Sequence, residues 1–144
     1  MILYLDTSAL VKLYFDEDNS KEVRRLVHEL RGAATSIVAY AETRAAFARK
    51  KKEGGLSTRS FSNLVSGFNE DWPAYFRVNL TNELVLIAGD LAEKHSMRGF
   101  DAIHLASGLE LMKKLDSAPY FMAYDERLMQ AARVEGFQNP VVCG

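Results

Sequence analysis

The sequence predicts an α/β fold, a three-layer sandwich in which a mainly parallel central sheet is flanked by helices. Two observations support this prediction. Short apolar segments alternate along the chain with longer stretches whose apolar residues recur at helical spacing, a pattern typical of parallel strands joined by helices. The 144 residues are also a common size for one compact core, so we expect a single domain over residues 1–144.

The predicted strands are short apolar segments that end at polar residues. The first segment stops at Asp6, and the last of the clear segments stops at Asp125. Pro140 suits only an edge strand, because proline cannot donate a hydrogen bond to a neighbouring strand. The segments are residues 2–5, 33–36, 76–80 and 120–124, with residues 140–142 as a candidate edge strand.

Capping and helix-breaking residues mark the predicted helices. Ser36 is a candidate N-cap for a long helix that glycines 54 and 55 end. Pro73 blocks the continuation of the next helix, and Gly136 stops the last one. The predicted helices cover residues 7–15, 21–30, 37–53, 58–72, 82–95, 101–115 and 126–135.

Composition argues against several classes of protein. The formal net charge of -1 gives no general attraction to polyanions, so any nucleic-acid contact must come from local basic clusters. Cys143 is the single cysteine and cannot form an intrachain disulfide or a multi-cysteine metal site. The chain shows no basic leader, and no apolar run approaches the roughly 20 residues that cross a bilayer. We therefore expect a cytoplasmic protein without membrane contact.

Four acids are predicted to meet at one edge of the sheet. Asp6 and Asp125 follow apolar strands, and parallel strands bring their C-terminal ends to the edge where α/β proteins bind ligands. Glu42 lies six residues beyond Ser36, about 9 Å along a helix that starts near this edge. Asp101 heads another helix and faces the same way if that helix runs parallel to its neighbours.

Several carboxylates at one place indicate a divalent cation. Crowded carboxylates repel one another, and without a counter-ion at least one pKa would rise. Hard oxygen ligands suit Mg²⁺ or Mn²⁺, which keep several waters and bind phosphate oxygens beside carboxylates. Phosphodiester hydrolysis is the natural chemistry of such a site.

Each acid also has an ordinary structural explanation. Asp6, Asp101 and Asp125 could each cap the first turn of a helix or favour its dipole. Glu42 could lie on the solvent face of its helix. The functional interpretation therefore depends on the four acids occurring together.

Four segments resemble the PIN domain in order and spacing, and within that family they look most like the VapC toxins of VapBC toxin–antitoxin pairs. The segments are LDTSAL at 5–10, SIVAYAE at 36–42, DAIHLA at 101–106 and YDERL at 124–128. The resemblance spans nearly the whole chain. It implies a Mg²⁺- or Mn²⁺-dependent endoribonuclease in which Asp6, Glu42 and Asp101 are the catalytic, metal-binding acids. Asp125 matches the family's fourth and more variable acid.

The resemblance implies further features of the site and its partners. The Ser8 hydroxyl matches a position that supports the acids. Many members have Ser or Thr two residues before the last acid, and this chain departs from them with Ala123. Water would attack the phosphodiester in line and leave a 5′-phosphate and a 3′-hydroxyl. The implied partners are an RNA substrate, a VapB-type antitoxin laid over the catalytic groove, and a second copy in a homodimer.

Basic residues cluster on the helix that carries Glu42, toward its C-terminal end. They are Arg44, Arg49, Lys50, Lys51 and Lys52. They could contact RNA, or they could complement the negative end of the helix dipole, and the two roles are compatible.

His104 lies three residues after Asp101, so the two side chains could share a helix face and a metal ion. The alternative is a buried histidine that is hydrogen-bonded inside the domain. The resemblance favours this second interpretation.

Other functions fit the sequence less well. A haloacid-dehalogenase-type enzyme needs an acid two residues after the first one, where this chain has Ser8. A receiver domain needs an acidic pair at the end of its first strand. The remaining alternative is a catalytically inactive PIN-like scaffold that binds RNA or a protein. The three leading acids argue against it, because buried carboxylates are costly without a metal.

Overall fold

The computed structural model describes residues 1–30 and 32–140, and a four-stranded sheet lies at its centre. The strands lie in the order β3-β2-β1-β4, and each pairing between them is parallel. Their C-terminal ends therefore meet at one edge, which is called the sheet edge below. The strands are β1 (Leu3–Leu5), β2 (Ala33–Ser36), β3 (Phe76–Val78) and β4 (Tyr120–Met122).

Seven α-helices in the described ranges connect and flank these strands. They are α1 (Thr7–Leu10), α2 (Ser20–Leu30), α3 (Ala39–Lys52), α4 (Thr58–Asp71), α5 (Asn82–His95), α6 (Gly99–Met112) and α7 (Glu126–Val134). Short 3₁₀ helices follow α1 at Val11–Leu13 and α4 at Trp72–Ala74. No helix in the described part of the chain is long and apolar enough to cross a membrane.

The two faces of the sheet carry separate apolar clusters, because side chains alternate along a strand. Leu3 and Leu5 of β1 pack with residues of α1 to α4. Tyr4, between them, packs on the opposite face with residues of α5, α6 and α7. All three side chains are completely buried, and each such burial stabilises the fold by roughly 1.5–3 kcal/mol. The predicted α/β fold, with helices on both faces of a parallel sheet, is confirmed.

Local capping signals set several helix ends where the sequence predicts them. The Ser57 hydroxyl accepts a hydrogen bond from the Ser60 N–H at 3.0 Å and begins α4. Thr81 caps α5 in the same way through the Leu84 N–H at 3.1 Å. Gly136 follows α7 with a φ of 101°, a conformation that favours glycine.

The predicted helix over residues 7–15 is wrong in its extent. The α-helix ends at Leu10, and a 3₁₀ turn leads the chain toward Phe15. The Phe15 carbonyl accepts a hydrogen bond from the Ser20 hydroxyl at 2.6 Å, so the chain turns there into α2.

The predicted start of α3 at residue 37 is also wrong. The Ile37 N–H donates to the Val78 carbonyl at 2.9 Å and so prolongs the pairing of β2 with β3. The Ser36 hydroxyl accepts from the Val38 N–H at 3.3 Å, two residues on, rather than capping the helix itself. The helix therefore begins at Ala39.

Other boundaries also differ from prediction, among them the end of α6, which lies at Met112 and not at residue 115. Helix α6 begins at Gly99, so Asp101 lies inside its first turn instead of heading it. Strands β3 and β4 end at Val78 and Met122, earlier than predicted. Most of the candidate edge strand at 140–142 lies outside the described residues. Just before it, Gln138 forms a parallel bridge with Tyr120 of β4.

Candidate active site

Each of the four predicted acids reaches the sheet edge on a different element. Asp6 directly follows β1, whereas Asp125 lies three residues after β4 as the N-cap of α7. Glu42 lies in the first turn of α3, and Asp101 lies in the first turn of α6. The charge of Asp101 is coupled to those of the other predicted acids Asp6, Glu42 and, most strongly, Asp125. The fold thus gathers four acids that are far apart in sequence.

Asp6 is almost fully buried and held in one orientation. Its Oδ1 accepts hydrogen bonds from the Ser8 hydroxyl at 2.7 Å and the Ala9 N–H at 3.0 Å. Burial raises the pKa of Asp6, and the Asp101 charge adds to the rise. His104 and the two hydrogen bonds oppose it without cancelling it. Asp6 therefore caps α1, which is the structural role that the sequence also allowed. It is at the same time one of the four predicted acids.

Ser8 links the ends of the two central strands. Its hydroxyl donates to Asp6 and accepts from the Tyr124 N–H at 2.9 Å. Tyr124 directly precedes Asp125 in the chain. One hydroxyl therefore fixes both the first acid and the backbone that leads to the fourth.

Glu42 is partly buried and does not lie on a solvent face. Its Oε1 accepts hydrogen bonds from the Thr7 hydroxyl at 2.7 Å and from His104 Nε2 at 2.9 Å. Burial alone would raise the pKa of Glu42, but these two donors outweigh it and lower the pKa below its ordinary value. Glu42 is therefore a carboxylate with two donors on Oε1, which leaves Oε2 as its second acceptor.

His104 is the partner of Glu42 that sequence reasoning missed. It is 2% exposed, and its Nδ1 lies 2.9 Å from the Tyr4 hydroxyl. Nε2–H donates to the Glu42 carboxylate, and Nδ1 shares a hydrogen bond with the Tyr4 hydroxyl on the other side of the ring. Burial raises the pKa of Tyr4 well above its usual range, so the phenol keeps its proton. The favoured interpretation of His104 as a buried, hydrogen-bonded residue is confirmed, but nothing in the sequence indicated that its partner is Glu42.

Asp101 is partly exposed and lines a depression in the protein surface, which is called the acid cleft below. Burial raises the pKa of Asp101, and the charges of Asp125 and Glu42 add to this rise against the opposing effect of Arg98 and His104. The cleft has a volume of about 450 Å³ and is lined by Glu42, Arg98, Gly99, Phe100, Asp101 and Ile103.

The chemistry of these residues suits a hard divalent cation. The raised pKa values of Asp6 and Asp101 reflect burial and neighbouring negative charge, both of which a bound cation would offset. Carboxylate oxygens are the ligands that Mg²⁺ and Mn²⁺ prefer. Within residues 1–30 and 32–140, no three His, Cys, Asp or Glu side chains stand in an arrangement that could hold a metal ion as they are oriented here. The residues therefore match a divalent cation in charge and in ligand type, but their side chains do not form a preformed binding site.

The predicted basic residues lie mainly away from the acid cleft. All but Arg44 lie in the last turn of α3, roughly 10–15 Å along the helix from Glu42. The Nζ of Lys50 lies 4.4 Å from the centre of the Phe15 ring, and the Nζ of Lys51 lies 4.8 Å from the centre of the Phe61 ring. The guanidinium of Arg44 donates to the Tyr40 hydroxyl at 2.8 Å. The fold does not bring this cluster together with the acids, and its position favours the helix-dipole interpretation.

The fold and the acids together define the class of protein, an α/β domain with an acidic site at the C-terminal edge of a parallel sheet. A family model described as PIN domain matches residues 3–134. The chain belongs to the PIN domain family, as its sequence motifs indicate.

Two curated relatives are similar along nearly their whole length. Ribonuclease VapC45 of Mycobacterium tuberculosis (strain CDC 1551 / Oshkosh) is 33% identical over 135 residues, which cover 94% of this chain and 92% of that protein. Ribonuclease VapC47 of the same strain is 30% identical over 140 residues, covering 94% of this chain and 93% of that protein.

Two solved structures share the fold at low sequence identity. FitAcB from Neisseria gonorrhoeae superposes with a TM-score of 0.65 at 16% identity, covering 92% of this chain and 94% of that chain. VapBC2 from Rickettsia felis, solved with a DNA fragment from its promoter, gives a TM-score of 0.61 at 12% identity over 90% and 92% of the two chains. At these identities the likeness concerns the fold alone.

Proposed function

We propose that this chain is a metal-dependent endoribonuclease and the toxin of a type II toxin–antitoxin pair. The observation that supports the proposal is the position of the four acids on separate elements, with Asp6 at the C-terminal end of β1 and Glu42, Asp101 and Asp125 at the N-terminal ends of helices. The names of the curated relatives, Ribonuclease VapC45 and VapC47, support the same activity. Residues 1–144 act as one PIN-like domain, and the reducing environment suited to a single cysteine supports a cytoplasmic location.

The four acids would hold Mg²⁺ or Mn²⁺. When bound, such a cation supplies charge neutralisation for the phosphate and makes water a stronger nucleophile near neutral pH. Its charge also offsets the repulsion that raises the pKa of Asp101. A bound ion would therefore favour the charged forms of Asp6 and Asp101.

The chain's own residues orient the acids before the substrate arrives. The Ser8 hydroxyl fixes Asp6, and the Thr7 hydroxyl and His104 fix Glu42 through Oε1. The Tyr4 hydroxyl holds the Nδ1 side of the His104 ring and so fixes the orientation of that ring. Such supporting hydrogen bonds reduce the reorganisation needed during reaction. Water then attacks the phosphorus directly and leaves a 5′-phosphate and a 3′-hydroxyl, without a protein nucleophile.

The proposed partners follow from the toxin assignment. A VapB-type antitoxin is supported by the structural likeness to VapBC2, and a homodimer is proposed on the family resemblance. The basic residues at the end of α3 are proposed to contact RNA in addition to stabilising the helix.

The test of the proposed function is RNA cleavage by purified protein in Mg²⁺, in Mn²⁺ and in EDTA. We expect cleavage only with a divalent cation, and a loss of roughly 1,000-fold in Asp6→Asn, because removing a ligand sacrifices several kcal/mol of stabilisation. Asparagine still caps a helix, so the variant should fold.

Glu135→Gln is the matched control, since Glu135 is a carboxylate at the C-terminal end of α7 that is not one of the predicted acids. Metal-dependent cleavage that persists in Asp6→Asn would contradict the assignment. RNA binding without cleavage in either metal would favour the inactive scaffold.

A further inference from the structure

Phe100 presents an aromatic ring to solvent at the sheet edge. It directly precedes Asp101 in the first turn of α6 and is 58% exposed. In the part of the chain that the structure describes, one other aromatic residue is similarly exposed, Phe76 at 46% on the outer strand β3. A single exposed apolar side chain is ordinary in itself. The surroundings of Phe100 are what distinguish it.

Phe100 lines the acid cleft together with Arg98 and the acids Glu42 and Asp101. Arg98 and Asp101 line the same depression, and the charge of Arg98 favours the charged form of this carboxylate. One depression therefore combines a flat apolar ring, a cation and two of the four acids. A nucleotide presents the complementary features, which are a flat base, a phosphate anion and a phosphodiester. The volume of about 450 Å³ is within the usual range for ligand pockets.

We propose that the Phe100 ring stacks on an unpaired base of the RNA substrate next to the bond that is cut, while Arg98 neutralises an adjacent phosphate. Stacking of a base on an aromatic side chain tolerates any sequence, because every base has a π-face. Bases inside an A-form duplex are already stacked on one another and cannot offer that face. Phe100 can therefore stack only on a base that lies outside a duplex. This inference rests on the proposed function and assigns Phe100 as a residue that positions its substrate.

A second copy of this chain is another partner that could cover an exposed apolar ring. Three of the residues that line the cleft are charged, namely Glu42, Arg98 and Asp101. Charged residues are depleted from the cores of protein interfaces, because burying them costs free energy. A nucleotide uses these charges and leaves them in contact with water. The composition of the cleft thus favours RNA.

The experiment compares Phe100→Leu, which keeps the apolar bulk and removes the π-face, with Phe100→Trp, which keeps the π-face. Phe76→Leu is the matched control, since it makes the same change at the other exposed aromatic residue. The probe is a short single-stranded RNA that the wild-type protein cuts, with 2-aminopurine beside the cut position. For the binding measurement, this RNA carries a linkage at that position that cannot be cleaved.

We expect wild type, Phe100→Trp and Phe76→Leu to quench the 2-aminopurine fluorescence and Phe100→Leu to leave it unquenched. Loss of one stacked base weakens binding roughly 5- to 150-fold, so KM should rise by about this factor in Phe100→Leu. The same RNA annealed to its complement should compete poorly for the wild type, and this preference should shrink in Phe100→Leu.

Quenching and KM unchanged in Phe100→Leu, with normal cleavage by the wild type, would overturn this inference and leave the proposed function standing. A wild-type protein that neither binds nor cuts RNA would instead overturn the proposed function, and this inference with it. Light scattering that shows a change of oligomeric state in Phe100→Leu, without a change in quenching, would assign the ring to a contact between copies and also overturn the inference.

Discussion

Carboxylates occupy two contrasting environments in this domain. Glu135, at the end of α7, accepts hydrogen bonds from Lys94 at 2.7 Å and His95 at 2.9 Å, both on α5. Burial alone would raise the pKa of Glu135, but these two donors lower it. At the sheet edge, burial and neighbouring acids raise the pKa values of Asp6 and Asp101, and the nearby donors do not offset this.

In its charged form, Glu135 stabilises the fold, whereas Asp6 and Asp101 in their charged forms destabilise it. Glu135 joins two helices through ion pairs that favour its charged form. Asp6 and Asp101 are disfavoured in their charged forms, which is common where a site needs charge for binding or catalysis. Substitutions in the two environments should therefore have opposite effects on stability and unequal effects on function.

The largest effect is expected from removing the support of Glu42. His104→Ala deletes the donor to Glu42 Oε1 and should weaken Mn²⁺ binding about 10- to 100-fold, the usual cost of losing a residue that orients a metal ligand. His104→Gln retains an N–H donor and should recover part of the affinity. Isothermal titration calorimetry measures both, with circular dichroism as the check on folding. Wild-type affinity in His104→Ala would show that the hydrogen bond does not orient Glu42.

A smaller effect is expected on the thermal stability of the metal-free protein. In EDTA near neutral pH, Asp101→Asn removes a disfavoured charge and should raise the Tm by about 1–3 °C. Glu135→Gln removes a favoured charge and should lower the Tm by a similar amount, about 1–3 °C. Scanning calorimetry of the two variants checks the signs. Equal shifts in one direction would remove the contrast between the two environments.

These two stability changes should depend on pH in defined ways. The folded-state pKa of Asp101 is raised, so its cost is absent below the ordinary value of about 4 and develops as pH rises through the folded pKa. The folded-state pKa of Glu135 is lowered, so its contribution is present above about 4.3 and disappears as pH falls through the folded pKa. Both Tm differences should therefore shrink toward zero in acid. Differences that persist there would have a cause other than charge.

The smallest effect concerns the basic end of α3. Replacing Lys50, Lys51 and Lys52 with alanine should weaken RNA binding and flatten its dependence on salt. The logarithmic slope should fall by about 0.7 for each phosphate that these side chains neutralise in the wild type. Fluorescence anisotropy at several salt concentrations measures this slope. An unchanged slope with a lowered Tm would show that these lysines stabilise the C-terminal end of α3 and do not contact RNA.

Local signals explain which parts of the fold the sequence predicts well. Strand β2 has the predicted bounds, and the ends of α5 and α7 lie at or next to their capping and breaking residues. The start of α3 could not be predicted, because it depends on the hydrogen bond from Ile37 to Val78 on another strand. Such a bond leaves no pattern in the sequence around either residue.

The candidate site divides in the same way. Asp6 could be placed at the sheet edge because the end of an apolar strand is a local signal. The hydrogen bond between His104 and Glu42 could not be predicted, because the two residues lie 62 positions apart on different helices. The contacts of His104 with Tyr4 and Thr7 also join parts of the chain about one hundred residues apart. Sequence spacing identified His104 as notable without identifying its partner.

Binding of Mn²⁺, followed by electron paramagnetic resonance, tests the central claim most directly, because it measures the bound ion without requiring the RNA target and the two variants below locate it. The account predicts that the wild type and Glu135→Gln bind Mn²⁺ equally and that Asp101→Asn binds at least about tenfold more weakly. Equal binding by all three proteins, or no binding by the wild type, would contradict it.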